Sequence, residues 1–244
     1  FVLIFVATAS TLALKYNYLN WLTRKSIYII DILMHMKDYL TINEAAYDIA
    51  ASEYADRVEE YQDSDVVLIA PFINYLRSEF SNVHVLELGP GSGLALRMFE
   101  DEGFSSTAID ISANIINIAR TNAPHTEFIK ADFLAHNFAD NQYSGIFAKA
   151  FIHLFPKNDA IEILGKIYAL LAPKGALFLA TTIHDEPKEG YEEKTDYEKS
   201  PVRFRKKWTE TELLEALGDE WNIIEKSYNT ERGKSWLALT LSKI

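Results

Sequence analysis

Short apolar runs alternate with segments of helical periodicity from about residue 76 onward. This alternation predicts parallel strands joined by crossover helices, which is the pattern of an α/β sheet. The apolar runs that we interpret as the first five strands are 84–89, 106–110, 127–133, 143–151 and 176–182. The helices between them are predicted at about 92–102, 113–121 and 158–172.

Capping residues support several of these boundaries. Ser112 suits an N-cap, because its hydroxyl can accept a hydrogen bond from the first turn of the next helix. Gly103 suits a helix C-terminus, and the Pro-Lys-Gly segment 173–175 predicts a turn into the fifth strand. Thr209 and Glu212 form a capping-box pattern at the start of a last helix.

The two ends of the chain complete the predicted architecture. Segments 222–229 and 234–243 are interpreted as two closing strands, which we expect to be antiparallel. An amphipathic helix is expected within 36–61, and no internal repeat or linker follows it. We therefore predict one doubly wound α/β domain at 41–244, with helices on both faces of its sheet, after an N-terminal extension at 1–40.

The extension itself contains apolar runs at 1–14 and 27–36. The first run is shorter than the roughly 20 residues that a helix needs to cross a bilayer. Three interpretations stay open: upstream sequence before a start at Met34 or Met36, a truncated signal or anchor, and an extra packing helix. We expect membrane contact only if residues 1–35 are a genuine anchor.

Composition excludes several classes of protein. The chain of 244 residues is 48% apolar, which is enough for a sizeable core. It contains no cysteine, so disulfides and cysteine-ligated metal sites are excluded. Its 24 Lys plus Arg against 35 Asp plus Glu argue against a nucleic-acid partner, since phosphate neutralisation needs clustered basic residues. A nucleotide-sized ligand held by backbone groups remains compatible with this charge.

Three successive strands end in residues that suit a nucleoside. The first runs into Glu-Leu-Gly-Pro-Gly-Ser-Gly at 87–93, a glycine-rich bend that opens a helix with unpaired N–H groups. The second ends in Asp110, whose carboxylate can accept both hydroxyl hydrogens of a ribose. The third ends in Asp132, which is placed to receive an amino group such as that of adenine. Each signal is weak alone, but together they predict nucleoside binding.

The spacing of the glycines selects among nucleoside ligands. A dinucleotide fingerprint would have a third glycine where this chain has Leu94 or Leu96, so a nicotinamide oxidoreductase is disfavoured. Glu87 at the strand end suits a positively charged amino group. These residues favour S-adenosylmethionine, which carries an ammonium and a sulfonium.

Over about residues 45–244 the sequence resembles the class I S-adenosylmethionine-dependent methyltransferases. The motifs that carry the resemblance are YDIAASEYADRV (47–58), VLELGPGSG (85–93), AIDIS (108–112), KADF (130–133) and LLAPKGALFL (170–179). The resemblance implies a seven-stranded, mostly parallel sheet of order 3-2-1-4-5-7-6 in which strand 7 is antiparallel.

The resemblance also implies which residues bind the cofactor. Together with Glu87, the expected set is Gly89, Gly91, Gly93, Asp110, Ile111, Asp132, Phe133 and Ala150. The glycines would line the methionyl and ribose portion, and Asp110 would hold the ribose hydroxyls. Ile111 and Phe133 would pack against the adenine, Asp132 would bond its amino group, and Ala150 would close the site near the sulfonium.

Methyl transfer is an in-line displacement, so catalysis can come largely from alignment and exclusion of water. A general base is needed only if the nucleophile keeps its proton until late. His153, just past the fourth strand, is the best-placed candidate, and His184 is second. The alternative for each is one structural hydrogen bond. Tyr47, Tyr54 and Tyr191 are further candidates to cover the site, although aromatic residues at helical or loop positions are more often packing residues.

The segments that follow strands four and five narrow the class of molecule that could accept the methyl group. Residues 148–151 (Ala-Lys-Ala-Phe) lack the proline-containing turn of enzymes that methylate amide or base nitrogens, and Lys149 opposes metal binding, so we expect no metal. Arg203 opens a basic cluster, 203–207, that either receives an anionic substrate or forms a solvated turn. Segment 185–200 is expected to be a mobile lid.

The leading hypothesis is a cytoplasmic methyltransferase that uses S-adenosylmethionine on a small-molecule acceptor and releases S-adenosylhomocysteine. The acceptor atom (O, N, C or S) and the oligomeric state stay open. The alternative is a non-catalytic S-adenosylmethionine-binding sensor or assembly factor, because an intact cofactor site fits both.

Overall fold

The structure is a computed structural model, and it describes residues 38–58, 62–195, 198–199, 201–231 and 233–244. The strands that it describes are β1 (His84–Leu88), β2 (Ser105–Asp110), β3 (Glu127–Lys130), β4 (Tyr143–Lys149), β5 (Leu171–Thr182), β6 (Lys188–Glu193), β7 (Val202–Lys207), β8 (Trp221–Glu231) and β9 (Lys234–Lys243). The helices are α1 (Asp38–Val58), α2 (Gln62–Glu79), α3 (Leu94–Asp101), α4 (Ala113–Asn122), α5 (Lys157–Leu170) and α6 (Glu210–Leu217), with a 3₁₀ turn at Ile152–Leu154.

Seven of these strands form one sheet of order β3-β2-β1-β4-β5-β9-β8. The neighbours from β3 to β5 pair in parallel, whereas β9 is antiparallel to both β5 and β8. Because β8 and β9 are the sixth and seventh strands of this sheet, the order equals the predicted 3-2-1-4-5-7-6. The predicted fold class is therefore confirmed, and all parallel strands end at one edge.

A second sheet departs from the prediction. Strands β6 and β7 form an antiparallel hairpin between β5 and α6 that we did not predict. Strand β6 lies within 185–200, the expected mobile lid, whose mobility stays a prediction. The hairpin pairs Tyr191 with Phe204 and Glu192 with Arg203. A strand pattern was hard to recognise here because most residues on both strands are charged.

Three predicted boundaries also shift. Strand β3 ends at Lys130, so Asp132 lies in the following loop. Strand β5 begins at Leu171, and its pairing with β4 is irregular between Tyr143 and Gly145. The expected Pro-Lys-Gly turn lies at this irregularity, where Lys174 has a φ of 62°. The caps at Ser112 and Thr209 are confirmed, since both hydroxyls accept a backbone N–H of their helix.

Aromatic rings dominate the core between the sheet and α2. The rings of Phe147 and Phe178, on β4 and β5, stack with centroids 4.6 Å apart. Phe72 of α2 contacts both rings and also Phe99 of α3, all at centroid distances of 6.1 Å. Fully burying each such ring stabilises the fold by about 1.5–3 kcal/mol. This core holds the strand tips in place.

The chain divides into two units, Phe1–Thr41 and Ile42–Ile244. Residues 1–35, with their three interpretations, lie outside the described part, and the predicted boundary at 40/41 stays a prediction. Within the described part, none of the helices combines the length and the apolar character that crossing a bilayer requires.

Candidate active site

The glycine-rich loop between β1 and α3 makes a tight bend at the carboxyl edge of the sheet. Gly89, Gly91 and Gly93 have φ angles of 70°, 54° and 82°. Residues with a side chain avoid this left-handed region, which is why the bend uses glycine. A Cβ on Gly93 would also lie 2.6 Å from the carbonyl oxygen of Ala119, so the loop packs directly on the backbone of α4.

Asp110, the last residue of β2, lies beside this bend. One carboxylate oxygen accepts the backbone N–H of Ser112 at 2.7 Å. The other lies 3.9 Å from the position that a Cβ on Gly89 would occupy. Removal from water raises the pKa of Asp110 to about 7, against the lowering effect of the Ser112 N–H, and the carboxylate of Asp48 raises the pKa further. The group therefore gains from a ligand that donates hydrogen bonds.

Glu87, the fourth residue of β1, is 4% exposed. Its Oε2 atom is buried and accepts no hydrogen bond from the described residues. Burial raises the pKa of Glu87 well above its usual value, although the positive charge of Lys149 lowers it in part. A buried carboxylate oxygen without a donor is costly, so this position suits a ligand that carries an ammonium group.

The loop after β3 brings Asp132 and Phe133 to the same edge. The N–H of Ala131 donates to the Asp110 carbonyl at 3.0 Å, which ties this loop to the tip of β2. One Asp132 carboxylate oxygen accepts the Leu134 N–H at 3.0 Å. Phe133 is buried, and its ring meets that of Phe151 at 90° with centroids 6.3 Å apart.

Lys166 of α5, which the sequence did not single out, organises the same loop. Its ammonium donates to the carbonyls of Phe133, Leu134 and His136 at 2.6, 3.0 and 2.6 Å. The sequence does place a lysine among the apolar residues of this helix. Such a lysine indicates that its ammonium has a partner inside the protein, but the sequence does not identify that partner.

The tip of β4 closes the other side of the bend. Ala150 has a φ of 58°, which is uncommon for a residue with a side chain and is typical of functional sites. Its N–H donates to the Ala180 carbonyl at 2.8 Å. The next ring, Phe151, lies 3.1 Å from the position of a Cβ on Gly89. Gly89, Asp110, Phe133 and Phe151 thus form one contiguous group.

Comparisons with known proteins agree with this geometry. A family model described as "Methyltransferase domain" matches residues 85–175, which is less than half of the chain. The crystal structure of the 1,6-didemethyltoxoflavin-N1-methyltransferase of Burkholderia thailandensis, with bound S-adenosylhomocysteine, superposes with a TM-score of 0.63. That likeness covers 85% of this chain and 90% of the other at 19% identity, so it shows the fold. The chain therefore has the class I S-adenosylmethionine-dependent methyltransferase fold, and its residues 85–175 match a methyltransferase domain.

Two curated relatives are similar in sequence to this chain. The demethylmenaquinone methyltransferase of Renibacterium salmoninarum is 26% identical over 100 residues, which are 41% of this chain and 41% of that protein. The malonyl-[acyl-carrier protein] O-methyltransferase of Pseudescherichia vulneris is 24% identical over 181 residues, which are 73% of this chain and 69% of that protein. The matched segment thus spans less than half of the first relative.

His153 lies in the 3₁₀ turn after β4 and is 4% exposed. Its Nδ1 atom is 3.0 Å from Oγ1 of Thr181. Burial holds the pKa of His153 well below its usual value, and the positive charges of Arg205 and Arg203 lower it further. The imidazole is therefore neutral at pH 7, and the same burial and positive charges make its protonation unfavourable.

The basic cluster on β7 is buried, so the solvated-turn alternative is wrong. Arg203 and Arg205 are 5% and 7% exposed. A terminal nitrogen of Arg203 donates to the hydroxyl of Tyr47 at 3.0 Å. Arg205 donates to Oγ1 of Thr182 at 2.7 Å. Residues two apart on a strand share a face, which places both guanidinium groups on the same side of the hairpin.

The other predicted substrate residues are less closely linked to this group. His184 is half-buried, with Nε2 3.3 Å from Oγ1 of Thr182. Tyr191 is 52% exposed and packs edge-on against Phe204. Tyr54 is on α1, but its side chain is outside the described part. Their roles in substrate binding stay predictions.

Helix α1 links the two sides of the site. The hydroxyl of Ser112, next to Asp110, donates to a carboxylate oxygen of Asp48 on this helix. Asn43 accepts the N–H of Phe204 at 2.8 Å and donates to the carbonyl of Leu154 at 3.0 Å. Sequence reasoning missed Asn43 and Asp48, although a buried asparagine in an amphipathic helix is a signal that could have been noticed.

Within the described ranges, no three His, Asp or Glu side chains are arranged to hold a metal ion. The expectation of a metal-free site stays a prediction.

Proposed function

We propose that this chain transfers a methyl group from S-adenosylmethionine to a small-molecule acceptor. The observation that carries the proposal is the convergence of a glycine bend, the partly buried Asp110 carboxylate and the buried, donor-less Glu87 oxygen at one sheet edge. The similar proteins named above include methyltransferases of demethylmenaquinone and of 1,6-didemethyltoxoflavin, which supports an organic small molecule as acceptor.

The residues at the edge fit this cofactor. Glu87 would bind the ammonium, Asp110 the ribose hydroxyls, and Asp132 the adenine amino group. Ile111 and the buried Phe133 would flank the adenine. When bound, S-adenosylmethionine supplies a methyl group that its sulfonium has already activated. The task left to the protein is to align the acceptor and to exclude water.

Buried side chains next to the bend suit that task. Phe151 and His153 are 8% and 4% exposed, so water has little access to this side of Gly89. His153 would act as general base for an acceptor that keeps its proton, although its burial and the neighbouring positive charges make the imidazolium form unfavourable. If the acceptor is already deprotonated, no base is needed, and the role of His153 would be the structural hydrogen bond to Thr181.

Calorimetry tests the cofactor assignment directly. We expect S-adenosylhomocysteine to bind with a Kd near 1 μM, about −8 kcal/mol, and NAD not to bind. Asp110→Ala should weaken that binding by about 1–3 kcal/mol, because a hydrogen bond to a charged group is lost. The matched control is Asp101→Ala, an exposed acid at the end of α3, which should bind normally.

Unchanged affinity in Asp110→Ala would remove Asp110 from the site. Isotopic methyl transfer into metabolite extracts then separates an enzyme from a non-catalytic S-adenosylmethionine sensor. Binding without transfer to any extract would favour the sensor. A cytoplasmic location remains a prediction that fractionation of cells can check.

A further inference from the structure

Two buried arginines stand out among the charged groups of the hairpin. Arg203 is 5% exposed and has the neutral hydroxyl of Tyr47 as its hydrogen-bond acceptor. Its Nε–H is buried and has no acceptor among the described residues. Burying a guanidinium in this way is costly unless an anion compensates it. The arrangement therefore suits an anionic ligand.

Carboxylates of the hairpin do not balance its positive charge. Glu192 lies 3.6 Å from Nε of Arg205 and 3.2 Å from the Lys207 ammonium, so one carboxylate serves two cations. Within the described part of the chain, no carboxylate forms a salt bridge with Arg203. The positive charges of Arg205, Arg203, Lys194 and Lys234 all lower the pKa of His153, after the larger effect of its burial. Together β6 and β7 carry five basic and three acidic residues, so the hairpin has a net positive charge.

This positively charged hairpin adjoins the cofactor edge. Strand β7 packs against the 3₁₀ turn at Ile152–Leu154. That turn follows Phe151, whose ring contacts the glycine bend at Gly89. A molecule held by the arginines would thus lie within one short turn of the place where methyl transfer is proposed.

We propose that Arg203 and Arg205 form an oxyanion subsite that holds a carboxylate or similar oxyanion of the acceptor molecule beside His153. The inference rests on the proposed function, since it names the chemical class of the acceptor. A planar guanidinium matches a carboxylate in a two-bond geometry, which a lysine cluster would not supply. Anchoring this group would fix the remainder of the acceptor relative to the methyl group.

The wild-type chain allows a direct test without any substitution. Benzoate and its neutral analogue benzamide are titrated into the full 244-residue protein saturated with S-adenosylhomocysteine. The arginine Nε–H resonances of a ¹⁵N-labelled sample are the readout. We expect benzoate to shift the buried Arg203 resonance saturably and benzamide to leave it in place. Equal responses to both compounds, or none to benzoate, would overturn the subsite.

Variants add a quantitative arm. Arg203→Gln should weaken benzoate binding at least tenfold and leave S-adenosylhomocysteine affinity within twofold. Arg97→Gln, an exposed arginine of α3, should change neither. Should Arg203→Gln fail to fold, the wild-type titration still decides. If the wild-type protein does not bind S-adenosylhomocysteine, the proposed function is refuted. If it binds S-adenosylhomocysteine normally but does not respond to benzoate, only the subsite is refuted.

Discussion

The tips of β1 to β3, where we propose that the cofactor binds (the cofactor side), carry acidic residues. The β6–β7 hairpin, where we propose that the acceptor binds (the acceptor side), carries buried basic residues. Glu87, Asp110 and Asp132 lie at the tips of β1 to β3 or just beyond them, whereas Arg203 and Arg205 lie on the hairpin next to β4 and β5. The formal net charge of −11 describes neither side. The comparison teaches that neighbouring parts of one molecule can favour ligands of opposite charge, because the acidic and the basic side chains lie on different elements.

Both sides place ionisable groups where their charged form is unfavourable. Burial raises the pKa of Asp110 to about 7 and that of Glu87 well above its usual value. On the acceptor side burial and positive neighbours lower the pKa of His153. Ligands of the complementary charge would relieve these costs, so each side favours one class of ligand by its electrostatics.

The largest expected effect concerns the acceptor side. If His153 is the general base, His153→Gln should lower kcat by about 10²–10⁴-fold and leave S-adenosylhomocysteine affinity unchanged. The measurement uses an acceptor found by isotopic methyl transfer and includes the pH dependence of kcat. His125→Gln, on an exposed histidine, is the control. Activity within threefold of wild type would assign His153 the structural bond to Thr181.

The next effect concerns the stability of the cofactor side. Gly93 and Gly103 have φ angles of 82° and 77°, but only Gly93 has backbone atoms where a Cβ would be. Gly103→Ala should cost about 1–2 kcal/mol of unfolding free energy, from the left-handed conformation alone. Gly93→Ala should cost about 1–3 kcal/mol more, since it overpacks the contact with α4. Equal midpoint shifts in urea denaturation would contradict the close approach.

The cofactor side was largely predictable because its signals are local in sequence. Strand, glycine bend and acid follow one another within a few residues, and the sheet order then brings Asp110 to the bend at Gly89. The position of Asp132 in the fold and the role of Lys166 were harder to predict from the sequence. Asp132 lies in a loop beyond β3, and Lys166 reaches that loop from 30 to 33 residues downstream.

The acceptor side depends on contacts that are distant in sequence. Arg203 is held by Tyr47, and the backbone of Phe204 by Asn43, across more than 150 residues. A basic run next to an acidic one is usually a solvated turn, and nothing local indicates that β6 and β7 pair and bury it. Charge pattern therefore identified the cluster, but only the fold showed that it is buried.

The smallest expected effect is the pH dependence of cofactor binding. Ribose hydroxyls donate to the carboxylate form of Asp110, so binding should lower its pKa from about 7 and favour loss of the proton. Affinity for S-adenosylhomocysteine should therefore rise about tenfold from pH 6 to pH 8, and Glu87 would act in the same direction. Calorimetry across this range measures the effect.

In Asp110→Asn the slope of log affinity against pH should fall by about one proton, because the amide does not titrate. A wild-type affinity that is flat or falls with rising pH would mean that the Asp110 carboxylate is not what receives the ribose. The pKa of His153 lies well below its usual value, so the acceptor side contributes little to this slope.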